Sequence, residues 1–105
     1  MDTPSIYKTI RETVTDNIPG AHVLLFGSRA RGEEDRFSDY DLMIITQQTF
    51  NPKEKVRLMT LLDRAIVNAI EAPVDILLNS EEEILEKQDL PGPIVRTAMR
   101  KGIIL

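Results

Sequence analysis

Apolar residues recur at every fourth position along Ile6, Ile10, Val14 and Ile18, a spacing that puts one stripe on the side of a helix. Thr3 and Pro4 stand before the stripe, a capping residue and a residue suited to the first helical position, and Pro19-Gly20 ends it. The pattern then changes period. Ala21 to Phe26 is a short apolar run containing Val and Phe, bounded by glycines, and it predicts a buried strand. Gly27 to Ser38 is polar and charged, a loop with room for one helical turn. Asp39 to Thr46 predicts a second strand.

The strongest helix runs from Lys53 to Glu71. Lys53, Arg57, Thr60, Arg64, Asn68 and Glu71 make a polar stripe, and Val56, Leu58, Met59, Leu62, Ile66, Ala69 and Ile70 make a broad apolar face. Pro73 closes it, and Val74 to Asn79 predicts a third strand. Ser80 with Glu83 forms a capping box for a short acidic helix. Leu90-Pro91-Gly92-Pro93 breaks the chain. Pro93 opens a last helix to Lys101, Gly102 stops it, and Ile103 to Leu105 is an apolar tail suited to an edge strand. Strands alternate with helices, so the expected class is α/β (α+β), with a small mixed sheet of three to four strands flanked by helices. The short link between strands one and two suits an antiparallel pair. The long helix between strands two and three suits a parallel crossover.

Composition narrows the options. The 105 residues suit one domain spanning 1–105, with 42% apolar and 29% charged residues, a globular mix. Cysteine is absent and His22 is the one histidine, which excludes disulfides, thiolate zinc sites and histidine-rich metal sites. The formal net charge of −4 argues against nucleic acid as partner, because phosphate neutralisation asks for a basic surface. No apolar run approaches the roughly 18 residues of a membrane span. Met1-Asp2-Thr3-Pro4 lacks a signal peptide's features, so the expected location is cytoplasmic.

The candidate chemistry starts at Asp39 and Asp41. Two apart on a strand, they project from one face, while Tyr40 and Leu42 point into the core. Bare carboxylates about 7 Å apart along a strand repel one another, and a hard divalent cation with oxygen ligands removes the repulsion. Asp75 interrupts the otherwise apolar strand Pro73 to Leu78. A strand placed beside the second would bring it to Asp39 and Asp41. Three acids of this kind can hold two magnesium ions for in-line displacement at phosphorus. Alone, two aspartates at a strand end are more often turn or solubility residues than ligands.

Directly after the first strand comes Gly27-Ser28-Arg29-Ala30-Arg31-Gly32. Gly27 permits a tight turn and close approach of a phosphate. A helical turn over 28–31 would present N–H groups to an anion, Ser28 adds a hydroxyl donor, and Arg29 and Arg31 can neutralise phosphate charge, or serve as plain surface charges. From Gly27-Ser28, ten residues lead to Asp39-Tyr40-Asp41. Average composition gives that match on the order of once in 10⁵ start positions, which favours a joint site over coincidence.

Here the chain resembles a known family. Gly-Ser, ten residues, Asp-x-Asp is similar to the signature of the DNA polymerase beta-like nucleotidyltransferase superfamily, and GSRARGEEDRFSDYDLMI resembles its small prokaryotic branch, the minimal nucleotidyltransferases. The likeness spans essentially the whole chain, with no departure at the signature positions. It implies the nucleotidyltransferase fold, with Gly27 and Ser28 on the phosphates of an NTP. It implies two Mg2+ ions on Asp39 and Asp41, and Asp75 as a third acid that helps activate the acceptor hydroxyl. It favours ATP as the donor. It also implies a HEPN-domain partner, since small members are often the antitoxin half of a toxin–antitoxin pair and some add AMP to a tyrosine of the toxin.

Two classes stand beside that reading: transfer to a small molecule, and a non-catalytic module that neutralises a partner by contact. The three aspartates speak against the last, since contact alone does not need a cluster of like charges. Arg36 is expected to be a solvated loop residue and His22 structural. Met99, the apolar tail and the apolar face of helix 53–71 are open to either packing or partner contact.

Overall fold

The computed structural model describes residues 1–32, 38–87 and 102–105; the helix expected from Pro93 to Lys101, together with Arg36 and Met99, lies outside them. Helix α1 spans Thr3–Asn17 and buries Ile10 and Val14, as the four-residue spacing predicts. Its cap is Asp2 rather than Thr3. The Asp2 carboxylate accepts a hydrogen bond from the Ser5 N–H at 2.9 Å, satisfying one of the free donors of the first turn. That bond to Ser5 holds the Asp2 carboxyl below its ordinary value.

Strand β1 (His22–Phe26) pairs antiparallel with β2 (Tyr40–Thr46), and β2 pairs parallel with β3 (Val74–Ser80). The crossover is α3, Pro52–Ile70, one residue longer at its start than the pattern indicated. Asn51 sets that start by accepting from the Glu54 N–H at 2.9 Å. Glu71 ends the helix in the left-handed region, at φ 54°. Helix α4 (Glu81–Lys87) grows directly from β3 through the expected capping box. The Ser80 N–H donates to Glu83 Oε1 at 2.9 Å, and the Glu83 N–H donates to Ser80 Oγ at 3.1 Å. The tail forms β4 (Ile103–Ile104), antiparallel to β1, and the sheet order is β3-β2-β1-β4.

The two faces of this sheet differ. One is covered by α1 and α3, whose Ile10, Val14, Leu62 and Ile66 pack with Val23, Leu25, Leu42 and Ile44, all essentially without solvent exposure. Each such side chain contributes about 1.5–3 kcal/mol of burial. The other face carries a small cluster of Leu24, Met43, Ile45 and Ile84, the last from α4. The apolar face of α3 is narrower than its sequence suggests. Leu62, Ile66 and Ile70 are buried, but Val56 is 64% exposed because it lies off the line of contact with the sheet. Lys55 of α3 reaches Glu83 of α4 at 2.6 Å, an ion pair in which both side chains are about four-fifths buried. Among the described residues, no buried side-chain nitrogen or oxygen lacks a partner, and no helix is long and apolar enough to cross a membrane.

Candidate active site

Parallel strands β2 and β3 begin at the same end of the sheet, where antiparallel β1 finishes. The register puts Asp41 beside Asp75 on one side and beside Phe26 on the other. In-register neighbours on adjacent strands lie about 5 Å apart and share a face, so Asp41 and Asp75 project together, away from α1 and α3. Asp39 stands one residue before β2. It is exposed, as is Asp75, while Asp41 is half-buried. Tyr40, between the two aspartates, is buried with Leu42 in the helix-covered core, as the strand alternation requires.

The three carboxylates act on one another. The Asp41 carboxyl is raised above its ordinary value, first by its own burial, then by the negative charges of Asp75 and Asp39. Arg31 pulls it the other way, so its guanidinium charge is felt at the site. A group that burial and two like charges push towards its neutral form is one that a cation would return to the carboxylate form.

The glycine at 27 is dictated by the same contact. Its φ is +74°, in the region that side chains other than glycine's rarely adopt, and a Cβ there would overlap the Asp41 carboxylate and lie 2.9 Å from its Cγ. The chain therefore turns hard against Asp41 and enters α2, the four-residue turn Gly27–Ala30. This is the helical turn foreseen in the loop. Among the described residues no side chain caps it, and the turn begins hard beside Asp41. Ser28 is half-buried within it and Arg31 follows it, exposed.

Arg29 behaves differently from its neighbour. Its Nε and Nη2 donate to the Ser38 carbonyl at 3.0 and 2.8 Å. Its guanidinium lies over the Tyr40 ring, 3.9 Å from the centroid. The structure thus gathers Gly27, Ser28, Arg31, Asp39, Asp41 and Asp75 around one sheet end, and turns Arg29 onto the carboxylate strand. Sequence spacing gave no sign of the Ser38 carbonyl or the Tyr40 ring as partners for Arg29, since both contacts are set by the tertiary placement of α2 against the start of β2.

Among the described residues, no three carboxylates or imidazoles are already arranged around a metal position. The donor set itself is suited to one: oxygen only, two of its three members exposed, and the third held in mutual repulsion with them. The oxygen-only chemistry of Asp39, Asp41 and Asp75 thus suits a hard divalent cation, while their present placement does not form a ready cage.

The chain matches the family described as "Polymerase beta, Nucleotidyltransferase" over residues 8–105. A search of curated proteins finds no match. Among solved structures, the fold is similar to a toxin–antitoxin crystallised with AMP-PNP, at a TM-score of 0.68 and 20% identity over 93% of this chain and 70% of that one. A variant of the MntA–HpeT toxin–antitoxin gives 0.65 and 17% over 93% and 70%. The MNT antitoxin complex with tri-AMPylated HEPN toxin from Shewanella oneidensis gives 0.60 and 17% over 96% and 69%. At such identities the likeness speaks for the fold, and the four-stranded mixed sheet flanked by helices is the nucleotidyltransferase fold.

Proposed function

Because the chain belongs to the polymerase beta nucleotidyltransferase family, we propose that it moves AMP from ATP onto a hydroxyl of a partner protein, a tyrosine of a small helical HEPN-domain toxin, and so acts as the antitoxin. The observation that carries the transfer reading is the contact of Gly27 with Asp41: a glycine turn pressed against a carboxylate that lies in register with a second one, Asp75. The partner and the nucleotide are supported by the solved relatives, which include a toxin–antitoxin with AMP-PNP and an AMPylated HEPN toxin with its antitoxin.

In this reading the triphosphate lies on the open N–H groups of α2, with Ser28 Oγ and the Arg31 guanidinium as further donors. Asp39, Asp41 and Asp75 would hold magnesium, which would supply positive charge to shield the phosphates and to lower the pKa of the acceptor hydroxyl. Asp75, at the exposed edge strand, accepts the proton of that hydroxyl. The acceptor oxygen bonds to the α-phosphorus, the bond from that phosphorus to the bridging α–β oxygen breaks, and pyrophosphate leaves with the electron pair. The chain's own contribution is alignment and charge, since phosphoryl transfer needs little else.

The test uses ATP labelled at the α-phosphate, with magnesium, added to a lysate of the native host with wild-type protein or Asp41→Asn. A labelled protein that requires both magnesium and Asp41 supports the proposal and sizes the acceptor. Nucleotide binding without a labelled protein would shift the reading to a small-molecule acceptor. Absence of nucleotide binding would leave a module that acts by contact alone.

A further inference from the structure

We propose that Arg29 is a positioning residue that fixes the metal-binding carboxylates against the phosphate turn, and that it does not itself grip phosphate; this rests on the transfer reading of the same site. Three contacts carry it. The Arg29 fork closes on the carbonyl of Ser38, the residue immediately before Asp39. The flat face of the same guanidinium lies on Tyr40, the residue between Asp39 and Asp41. On the far side, the Tyr40 N–H donates to the Pro73 carbonyl at 3.1 Å, two residues before Asp75. A single chain of contacts therefore runs from α2 through Ser38 and Tyr40 to the start of β3, and all three acids sit on it or beside it.

The chemistry of arginine suits this use. Two N–H groups in a rigid fork fix direction as well as distance, and the planar face stacks on an aromatic ring at the same time. Lysine keeps the charge but has neither the fork nor the face. Tyr40 is 5% exposed and packed in the main core, so the ring is a fixed platform. Arg29 in turn leaves the phosphates to Arg31, whose charge reaches Asp41. Arg29 lies within α2 and Arg31 is its C-cap two positions on, so the two side chains do not share a face.

The experiment compares wild type with Arg29→Lys, Arg29→Gln and Arg31→Gln. Three quantities are read: calorimetric affinity for magnesium with α,β-methylene ATP, whose α–β bridge cannot be cleaved; transfer rate at saturating ATP as magnesium is varied; and melting temperature. For Arg29→Lys and Arg29→Gln the expected result is a saturated rate about tenfold to a hundredfold lower. Half-maximal magnesium rises, analogue affinity stays within about threefold, and melting confirms a folded protein. Arg31→Gln shows the opposite split, with weakened analogue affinity. The proposal is overturned if Arg29→Lys weakens the analogue tenfold or more while its saturated rate stays normal, because Arg29 would then be a phosphate ligand. It is equally overturned if Arg29→Lys and Arg29→Gln behave as wild type throughout. Wild type that binds no magnesium with the analogue sinks the transfer reading itself, and the positioning role with it.

Discussion

Strand β2 serves two faces that obey different rules. Tyr40, Leu42 and Ile44 point at α1 and α3 and join a large apolar cluster, where every residue adds burial. Asp41, Met43 and Ile45 point the other way, into a thin cluster closed by Ile84 of α4, with three carboxylates at its open end. The first face stabilises the fold. The second gives up stability, since an ionised Asp41 is disfavoured by burial and by its two acidic neighbours. Alternation along one strand keeps these demands apart, so the carboxylate end can be altered without disturbing the core.

The largest effect expected from breaking this division is on catalysis. Asp41→Asn or Asp75→Asn should lower transfer by about a thousandfold or more, the scale of losing metal and charge stabilisation, with circular dichroism unchanged. The opposite face should respond in the opposite manner. Leu42→Ala leaves a cavity in the main cluster and should cost about 3 kcal/mol in a urea titration, with transfer per folded molecule close to wild type. Gly27→Ala tests the seam between turn and carboxylate. Its left-handed backbone and the overlap with Asp41 should cost about 1–3 kcal/mol and reduce transfer about a hundredfold. Asn51→Ala, which removes the cap of α3 far from the site, should cost about 1 kcal/mol and leave transfer unchanged.

The smallest effects are those of pH, and they carry opposite signs at two aspartates. Asp2 is lowered by its bond to Ser5, so its contribution to stability is present above the unfolded value near 3.8 and fades as pH falls through the lower folded value. Asp41 is raised, so its contribution is complete below the unfolded value and is lost as pH rises through the higher folded one. Difference titrations of Asp2→Asn and Asp41→Asn against wild type, by melting between about pH 3 and 7, should therefore slope in opposite directions.

Periodicity made most of the fold legible. Four-residue spacing located α1, apolar runs located β1, β2 and β3, and the capping box located α4. The misplaced details have physical reasons. Asp2 and Thr3 are both good caps, and which one is used depends on which side chain reaches the Ser5 N–H. Val56 belongs to a broad apolar stripe, and only the docking angle of α3 decides that it faces solvent. That Gly27, Ser28, Asp39 and Asp41 would meet at one end of the sheet was legible, because they lie at the end of β1 and the start of β2 and the two strands pair antiparallel. The link from Arg29 to Ser38 and Tyr40 was not, because no periodicity encodes how α2 sits against the start of β2.

The most direct test of the division between the two faces is the melting temperature of Asp41→Asn beside wild type at neutral pH, first without metal and then with magnesium and α,β-methylene ATP. Relief of an unfavourable carboxylate should make the variant melt higher than wild type without metal, and the order should reverse with magnesium and nucleotide, because only wild type gains a cation. A variant that melts lower without metal, or gains as much as wild type with it, would contradict the assignment of this face to charge and chemistry.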